Sequence, residues 1–284
     1  MTSEAGVPYV DLHTHTTASD GVLPPEQVVD AAAAAGLKAI AITDHDTVDG
    51  VERAAAAAAP LGIRIVPGVE LSATVGDHEA HILALGVSRL DRVAERLAAL
   101  RTMRVGRAQL IVEKLNGLGV PITFEEVLAG AGGGAVGRPH VAKVLVERGF
   151  AEDLRDAFYK YLRNGGRAYV AKDKLSVSDA VAIAHESGAI AIWAHPAQTG
   201  RRERLESMIE AGLDGVEVLH PSHTPEDIVR LRALVDFFHV LPSGGSDWHG
   251  VNDAVRQLGM MHVPMEWLER HDEQRSRSVA PVLA

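Results

Sequence analysis

The 284-residue chain contains no cysteine. This absence excludes disulfides and thiolate ligands, so any metal ion must be held by His, Asp or Glu. No run of about 18 apolar residues occurs, and the N-terminus shows no basic stretch followed by an apolar core. We therefore expect neither a membrane span nor a secretory leader, and we place the protein in the cytoplasm.

Two catalytic signatures are also missing. The glycine-rich stretch before Arg138 is not followed by G-K-[ST], so it is not a Walker loop, and no G-x-S-x-G elbow provides a nucleophilic serine. Water is then the predicted nucleophile. The formal net charge of −10 disfavours tight, nonspecific binding along a nucleic-acid backbone. A small phosphorylated substrate or a short oligonucleotide remains open.

The stretch from Val10 to Gly50 carries most of the polar pattern that is present. His13 and His15 are two apart on a predicted strand, so both side chains should project from the same side. Asp20 follows in a loop, and Asp44-His45-Asp46 follows the next predicted strand. Nitrogen and oxygen ligands of this kind suit hard or borderline divalent metals.

Alternating strand and helix patterns predict an α/β fold. We count seven strands and predict a distorted (β/α)7 barrel, similar to a TIM barrel, with an inserted helical cap. The barrel should span 1–90 and 168–266, the cap 91–167, and a mobile tail 267–284. A doubly wound open sheet is the alternative, but it would not bring ligands from the first and last strands together as ring closure does.

Further candidate ligands follow later strands of the predicted barrel. Glu70 ends the third strand after P-G-V, although a glutamate there is often a solvated loop residue. His81 lies near the start of the predicted fourth strand, the segment H-E-A-H-I-L-A-L-G, where a buried structural histidine is the alternative, and His78 is expected in solvent. The full set of predicted metal ligands is His13, His15, Asp20, His45, Glu70, His81, His195, Asp247 and His249.

The motifs H-x-H with S-D-G, then T-D-H-D and P-G-V-E, resemble those of the PHP (polymerase and histidinol phosphatase) family of metal-dependent phosphoesterases. The resemblance implies two to three divalent ions (Mn, Zn or Fe), with a metal-bridging hydroxide as nucleophile. It also implies a partition of the ligands: His13, His15, Glu70 and Asp247 around one ion; Asp20, His45 and His249 around the second; and Glu70, His81 and His195 around the third.

Residues beyond the metal cluster are assigned to catalysis and substrate binding. Asp20 and His220 are the predicted catalytic residues, and the leaving oxygen would take its proton from His220 or His223. Either histidine could instead be a supporting or surface residue. The predicted substrate-binding residues are Arg138, His140, Lys172 and His223; of these, Arg138, His140 and Lys172 resemble positions in the nucleotide-cleaving branch of the family. Arg138 could equally cap its helix or form a surface pair.

The resemblance implies hydrolysis of a nucleotide phosphate ester, either the 3′-phosphate of a nucleoside 3′,5′-bisphosphate or short oligoribonucleotides from the 5′ end. Histidinol phosphatase and an amidohydrolase-like reaction are alternatives within the hydrolases. From another class, the chain could be a metal-stabilised binding module that has lost catalysis. Such modules lose ligands, whereas every predicted ligand position here is filled.

Overall fold

The computed structural model describes residues 8–76, 78–131, 136–171, 175–250 and 256–279. The chain divides into two compact units. The barrel unit comprises Met1–Ala94 and Leu175–Ala284, and the helical unit comprises Glu95–Lys174. The predicted insertion over 91–167 overlaps most of the helical unit.

One mixed sheet of eight strands forms the barrel unit, in the order β7-β6-β5-β4-β3-β2-β1-β8. Neighbours pair in parallel, except that β4 is antiparallel to both β3 and β5, and β8 is antiparallel to β1. The short apolar strands are buried on both faces, as expected when helices cover a parallel sheet. The strands are β1 Tyr9–Thr14, β2 Ala39–Ile42, β3 Arg64–Val75, β4 His78–Leu85, β5 Ile190–Trp193, β6 Gly215–Leu219, β7 Leu241–Gly244 and β8 Val263–Pro264.

The segment after β7 joins the sheet to β1 and nearly closes the ring. Thr14 forms a parallel bridge with Trp248, and the His15 N–H donates to the Trp248 carbonyl at 2.9 Å. Gly245 makes this approach possible, because a Cβ there would lie 2.4 Å from the Cβ of His13. The segment that follows β7 therefore lies beside β1, as ring closure requires.

One strand differs in extent from the sequence prediction. We expected β3 to finish at Glu70, but it continues to Val75, whereas β4 begins at His78, as the predicted segment H-E-A-H-I-L-A-L-G does. The two strands pair antiparallel over their whole length, so the hairpin extends past both residues. Glu70 and His81 consequently lie within strands rather than at their ends, where paired backbone holds them more firmly than a loop would.

Local signals account for several helix starts. Thr123 and Glu126 form the predicted capping box of α4, and Thr224 and Asp227 form that of α9. Across the described residues, no helix is both long and apolar enough to cross a membrane. The helices are α1 Pro25–Ala34, α2 Val51–Ala58, α3 Leu90–Gly117, α4 Phe124–Gly130, α5 Arg138–Glu147, α6 Leu154–Ala157, α7 Val177–Glu186, α8 Arg202–Glu210, α9 Pro225–Phe238 and α10 Met265–Val279.

The region predicted as a mobile tail, 267–284, is helical in α10 as far as Val279, whereas the sequence pattern predicted no helix there. Leu268 and His271, three apart, are buried on one side of the helix, and Leu268 joins the barrel core. Because this segment is strongly polar and its buried face is narrow, the sequence pattern does not reveal the helix. Arg64 of β3 adds an ion pair to Asp272 with N···O distances of 2.6 Å.

His271 should make the unfolding free energy of the protein depend on pH. Its Nε2 donates to the Pro242 carbonyl at 2.8 Å, and burial lowers its pKa to about 4. The unfolded chain takes up this proton near pH 6.5 and the folded protein only near pH 4, so stability falls as pH drops through that window. Between pH 7 and 5 the parent should lose about 2 kcal/mol more than His271→Gln in denaturant titrations of metal-free protein. The exposed His78→Gln should follow the parent, and equal losses in parent and His271→Gln would contradict the assignment.

Candidate metal centre

A dense group of histidines and carboxylates gathers where the barrel strands end. His13 lies in β1, His15 and Asp20 follow it in the next loop, and the remaining members lie in or follow five other strands. Many of these side chains are buried, and Asp20, with 48% of its side chain exposed, is the most accessible carboxylate. The predicted ligands brought together are His13, His15, Asp20, His45, Glu70, His81, His195, Asp247 and His249.

Glu70 is the central carboxylate of this group, because its two oxygens face five histidine rings. Oε2 lies 3.2 Å from a nitrogen of each of His13, His15 and His45. Oε1 lies 2.7 Å from His81 Nδ1 and 3.0 Å from His195 Nε2. Because its two oxygens face different histidines, the Glu70 carboxylate is placed to be shared between metal ions.

Asp247 and Asp20 complete the cluster on other sides. Asp247 Oδ1 lies 3.1 Å from His15 Nε2 and 3.5 Å from His13 Nε2. Asp20 Oδ1 lies 3.4 Å from His249 Nε2, and its Oδ2 is 3.9 Å from His45 Nε2. Asp247, which follows β7, therefore lies against His13 and His15 at the end of β1, as the ring-closed barrel predicts.

The donor atoms fit divalent ions. In the part of the chain that the structure describes, four groups have ligand atoms within 4.8 Å of one another: His13, His15, Glu70 and Asp247; His15, Asp20, His45 and His249; His45, Glu70 and His81; and His13, Glu217 and His220. The first group is the set that the family resemblance implies for one ion. The second contains all three residues implied for the second ion, and the third contains Glu70 and His81 of the three implied for the third ion.

Buried nitrogens without hydrogen bonds provide an independent test of that fit. Both ring nitrogens of His15 and the Nδ1 of His45 are buried and make no hydrogen bond of acceptable angle with the described residues, although carboxylate oxygens lie 3.1 to 3.2 Å from His15 Nε2 and His45 Nδ1. Buried polar atoms are normally hydrogen-bonded, and exceptions call for a specific explanation. Ligation of a metal ion satisfies an imidazole nitrogen in just this situation.

The charges within the cluster also suit metal binding. Burial opposes charge on His13, but Glu70, Glu217 and Asp247 outweigh it and raise the pKa of His13 well above its usual value. Burial alone would raise the pKa of Glu70, yet the surrounding histidines hold it well below its usual range. Burial lowers the pKa of His45 to about 4, so this ring is neutral and ready to ligate. Metal binding should therefore displace protons, chiefly from His13 and its neighbours.

The two aspartates that flank His45 hold backbone rather than joining the cluster. Asp44 accepts from the Thr16 N–H at 2.7 Å and from the Ser19 hydroxyl at 2.7 Å, which fixes the loop after β1. Asp46 accepts from the backbone and side chain of Ser72 at 3.0 and 3.1 Å. The D-H-D motif thus presents one histidine between two anchors.

Sequence reasoning missed Glu217 and Arg256. Glu217 is buried in β6 and lies 3.1 Å from His13 Nδ1, and Arg256 lies 2.9 Å from Asp247 Oδ2. An acid in the middle of the apolar strand G-V-E-V-L was a usable signal for Glu217, because an unpaired carboxylate is costly to bury there. No spacing pattern singles out Arg256.

His220 and His223 differ in their surroundings. His220 is buried beside the cluster, with Nε2 3.4 Å from Asp247 Oδ2 and Nδ1 2.8 Å from the Ser222 hydroxyl. His223 donates from Nδ1 to the Val218 carbonyl at 2.9 Å and accepts from the Ala197 N–H at 3.1 Å. Both ring nitrogens of His223 are engaged with backbone, which argues against its predicted contact with substrate or role as proton donor.

The other predicted substrate-binding residues belong to the helical unit. Arg138 donates to the Leu162 carbonyl at 3.1 Å and to Asn164 Oδ1 at 3.0 Å. His140 Nδ1 accepts from the Gly137 N–H at 3.0 Å, as an N-terminal cap of α5. Lys172 lies outside the described residues. Arg138 therefore bonds other segments of the helical unit, His140 caps α5, and the contact of either residue with substrate stays a prediction.

Comparisons with known proteins support the same assignment. A 3′,5′-nucleoside bisphosphate phosphatase of Chromobacterium violaceum is 35% identical over 260 residues, covering 88% of this chain and 90% of the relative. The 5′-3′ exoribonuclease Rnm of Escherichia coli K12 is 36% identical over 247 residues, covering 84% of each. A solved structure from Bifidobacterium adolescentis, described as a predicted metal-dependent phosphoesterase, superposes with a TM-score of 0.80 at 32% identity, covering 94% of this chain and 96% of that one.

The model of the PHP domain matches residues 11–163. The predicted family, the barrel-type α/β fold and the enzyme class of metal-dependent phosphoesterase are confirmed by this match and by the relatives. With more than half of its length matched and curated relatives above 30% identity along most of the rest, the chain belongs to the PHP domain family.

Proposed function

We propose that the protein uses two to three divalent ions to hydrolyse a phosphate ester of a nucleotide, either the 3′-phosphate of a nucleoside 3′,5′-bisphosphate or a bond in a short oligoribonucleotide. The observation that carries the metal assignment is the Glu70 carboxylate among five histidine rings, of which those of His15 and His45 have buried nitrogens that make no well-aligned hydrogen bond with the described residues. The nucleotide assignment is supported by the activities of the two curated relatives.

Bound divalent ions supply Lewis-acid activation of water and neutralise charge on the phosphoryl oxygens. The protein supplies the rest. Buried Glu70 and Asp247 hold the ligand set, and Asp20, exposed on the solvent side, is placed to accept a hydrogen bond from an incoming water. His220, beside Asp247, is the proposed proton donor to the leaving oxygen. Mn, Zn and Fe all suit a set of imidazole and carboxylate ligands.

A phosphate-release assay tests this proposal. Protein stripped with a chelator should be inactive, and activity should return with Mn²⁺, Zn²⁺ or Fe²⁺ as elemental analysis reaches two to three ions per chain. A nucleoside 3′,5′-bisphosphate, followed by phosphate release, or a 5′-phosphorylated trinucleotide, followed by chromatography of the nucleotides released, should be turned over well ahead of histidinol phosphate. Full activity in the stripped protein, or with one ion or fewer per chain, would sink the multi-metal proposal. A clear preference for histidinol phosphate would replace the nucleotide assignment.

Arg138 is the residue that should distinguish substrates with one phosphate from those with two. If it holds the phosphate that is not cleaved, Arg138→Ala removes binding energy that ground state and transition state share, so KM rises while kcat is kept. The loss of a charge-assisted contact, about 2 to 3 kcal/mol, corresponds to roughly 30- to 150-fold in KM for the bisphosphate. A substrate with one phosphate should be affected much less.

The matched control is Arg148→Ala, which removes an exposed arginine from the other end of the same helix. It should leave both KM values near those of the parent. Because Arg138 also bonds Leu162 and Asn164, the unfolding free energy of each variant is measured alongside. An equal penalty on both substrates from Arg138→Ala would mean that Arg138 contacts the reacting phosphate or supports the helical unit.

A further inference from the structure

The middle of β6 carries a glutamate where an apolar residue would be expected. Glu217 is fully buried, with 0% of the residue exposed, and its strand neighbours Val216 and Val218 are buried too. A buried carboxylate is retained only where specific partners compensate for its lost hydration. Glu217 is outside the predicted ligand set, so its partners indicate what it does.

Each oxygen of Glu217 serves a different histidine. Oε1 lies 3.1 Å from the Nδ1 of His13, and Oε2 accepts from the backbone N–H of His195 at 2.7 Å. The other ends of both histidines face Glu70: His13 Nε2 at 3.2 Å from Oε2, and His195 Nε2 at 3.0 Å from Oε1. Glu217 therefore supports, from behind, two rings that converge on the central carboxylate.

The bond to His13 selects which ring nitrogen is free to ligate. A carboxylate can only accept a hydrogen bond, so Nδ1 of His13 must carry the hydrogen when it bonds Glu217. The lone pair of the neutral ring is then on Nε2, the nitrogen that faces Glu70 and Asp247. Carboxylates that fix metal-binding histidines in this way also increase their basicity as ligands.

The bond to His195 holds backbone in an uncommon conformation. His195 has φ of +30°, a region that non-glycine residues rarely occupy without outside support. Its N–H is tied to Glu217, and Ala197, also at positive φ (+41°), has its N–H tied to His223. These two hydrogen bonds fix the conformation of the turn after β5 and orient the ring of His195 toward Glu70.

We propose that Glu217 is a positioning residue that orients His13 and His195 together for metal binding. The inference rests on the proposed metal-dependent function. Since the family resemblance assigns these two histidines to different ions, one change at Glu217 should weaken more than one step of metal binding, because Glu217 acts through both histidines.

Glu217→Gln is the test, because it preserves shape and changes only hydrogen bonding. The amide has one oxygen, so it can accept from His13 or from the His195 N–H but not from both, and its NH₂ is placed against the other donor. Zinc affinity of the stripped protein, measured by competition with a chromophoric chelator, should fall about 10- to 100-fold, the usual effect of losing such a supporting partner. At saturating metal, kcat should fall with little change in KM.

Two further variants keep the test decisive. Glu217→Asp keeps an acceptor-only carboxylate, so its zinc affinity should lie closer to the parent than that of Glu217→Gln, whereas a role in packing alone would favour the isosteric glutamine. Glu210→Gln, exposed on α8, should bind zinc as the parent does. Circular dichroism and denaturant unfolding of each metal-free variant separate loss of fold from loss of affinity.

The outcomes separate the two proposals. If the parent binds zinc and Glu217→Gln binds it equally well, the inference about Glu217 is overturned and the metal-dependent function stands. If the folded parent binds no divalent ion, the proposed function fails, and the inference about Glu217 fails with it.

Discussion

Glu70→Gln should abolish most of the activity and remove at least one metal ion per chain. The substitution keeps the size of the side chain but replaces a charged, two-oxygen ligand with a neutral amide in the centre of five histidine rings. Supporting residues alone change metal affinity or activity by about 10- to 100-fold, so loss of a shared ligand should exceed about 100-fold in turnover. Elemental analysis and the phosphate-release assay measure the two effects.

The matched control is Glu52→Gln, which makes the same chemical change at an exposed position of α2. It should retain the metal content and turnover of the parent. Glu70→Gln with unchanged metal content and turnover would show that the cluster is held together by hydrogen bonds alone, and the shared-carboxylate model would have to be abandoned.

The second large effect is expected from Asp247, which lies far from His13 in sequence but 3.5 Å from it in the barrel. Asp247→Ala should lower both metal content and turnover by orders of magnitude, because it removes the negative charge next to His13 and His15. Asp247 also has a positive φ of +50°. Alanine resists this backbone conformation, whereas asparagine tolerates it.

Comparing Asp247→Asn with Asp247→Ala therefore separates charge from backbone strain. If charge dominates, both variants lose metal and activity, and only the alanine variant also loses unfolding free energy, by about 1 to 2 kcal/mol. Asp236→Ala, at an exposed position of α9, is the control. Parent-like turnover and metal content in both Asp247 variants would place the last strand away from the site and favour an open sheet.

The grouping of the predicted ligands could be foreseen because each of these residues carries its own local signal. His13 and His15 share one strand face, and His195, Asp247 and His249 follow short apolar strands at points where the chain turns. In a barrel the ends of parallel strands lie at the same rim, so the sequence pattern alone was sufficient to predict that these residues come together. His45 stands in the same position after β2, between two aspartates that proved to be anchors.

Features that depend on pairing across strands were not predictable in the same way. The long β3–β4 hairpin, which places Glu70 and His81 within strands, is set by antiparallel register rather than by any residue at its ends. The bond between Glu217 and His13 joins residues 204 positions apart. α10 was missed because its buried face is narrow and its composition strongly polar.

Substrate recognition is the part that sequence patterns specify least. Arg138 and His140 were selected by resemblance, and their described contacts lie within their own unit. His223 was selected for its chemistry, yet backbone groups occupy both its nitrogens. A histidine in a polar motif looks the same in sequence whether it binds a substrate or holds a turn.

The contact between Gly245 and His13 has a consequence for biosynthesis. Ring closure requires the segment after β7 to lie against β1, and Asp247 and His249 arrive with that segment. During translation, His13 and His15 are synthesised early. Asp247 and His249 become available only after nearly the whole chain has been made. We therefore expect metal insertion to be completed late in the maturation of this protein, because a chain interrupted after Gly244 would lack Asp247 and His249 and could not complete the predicted centre.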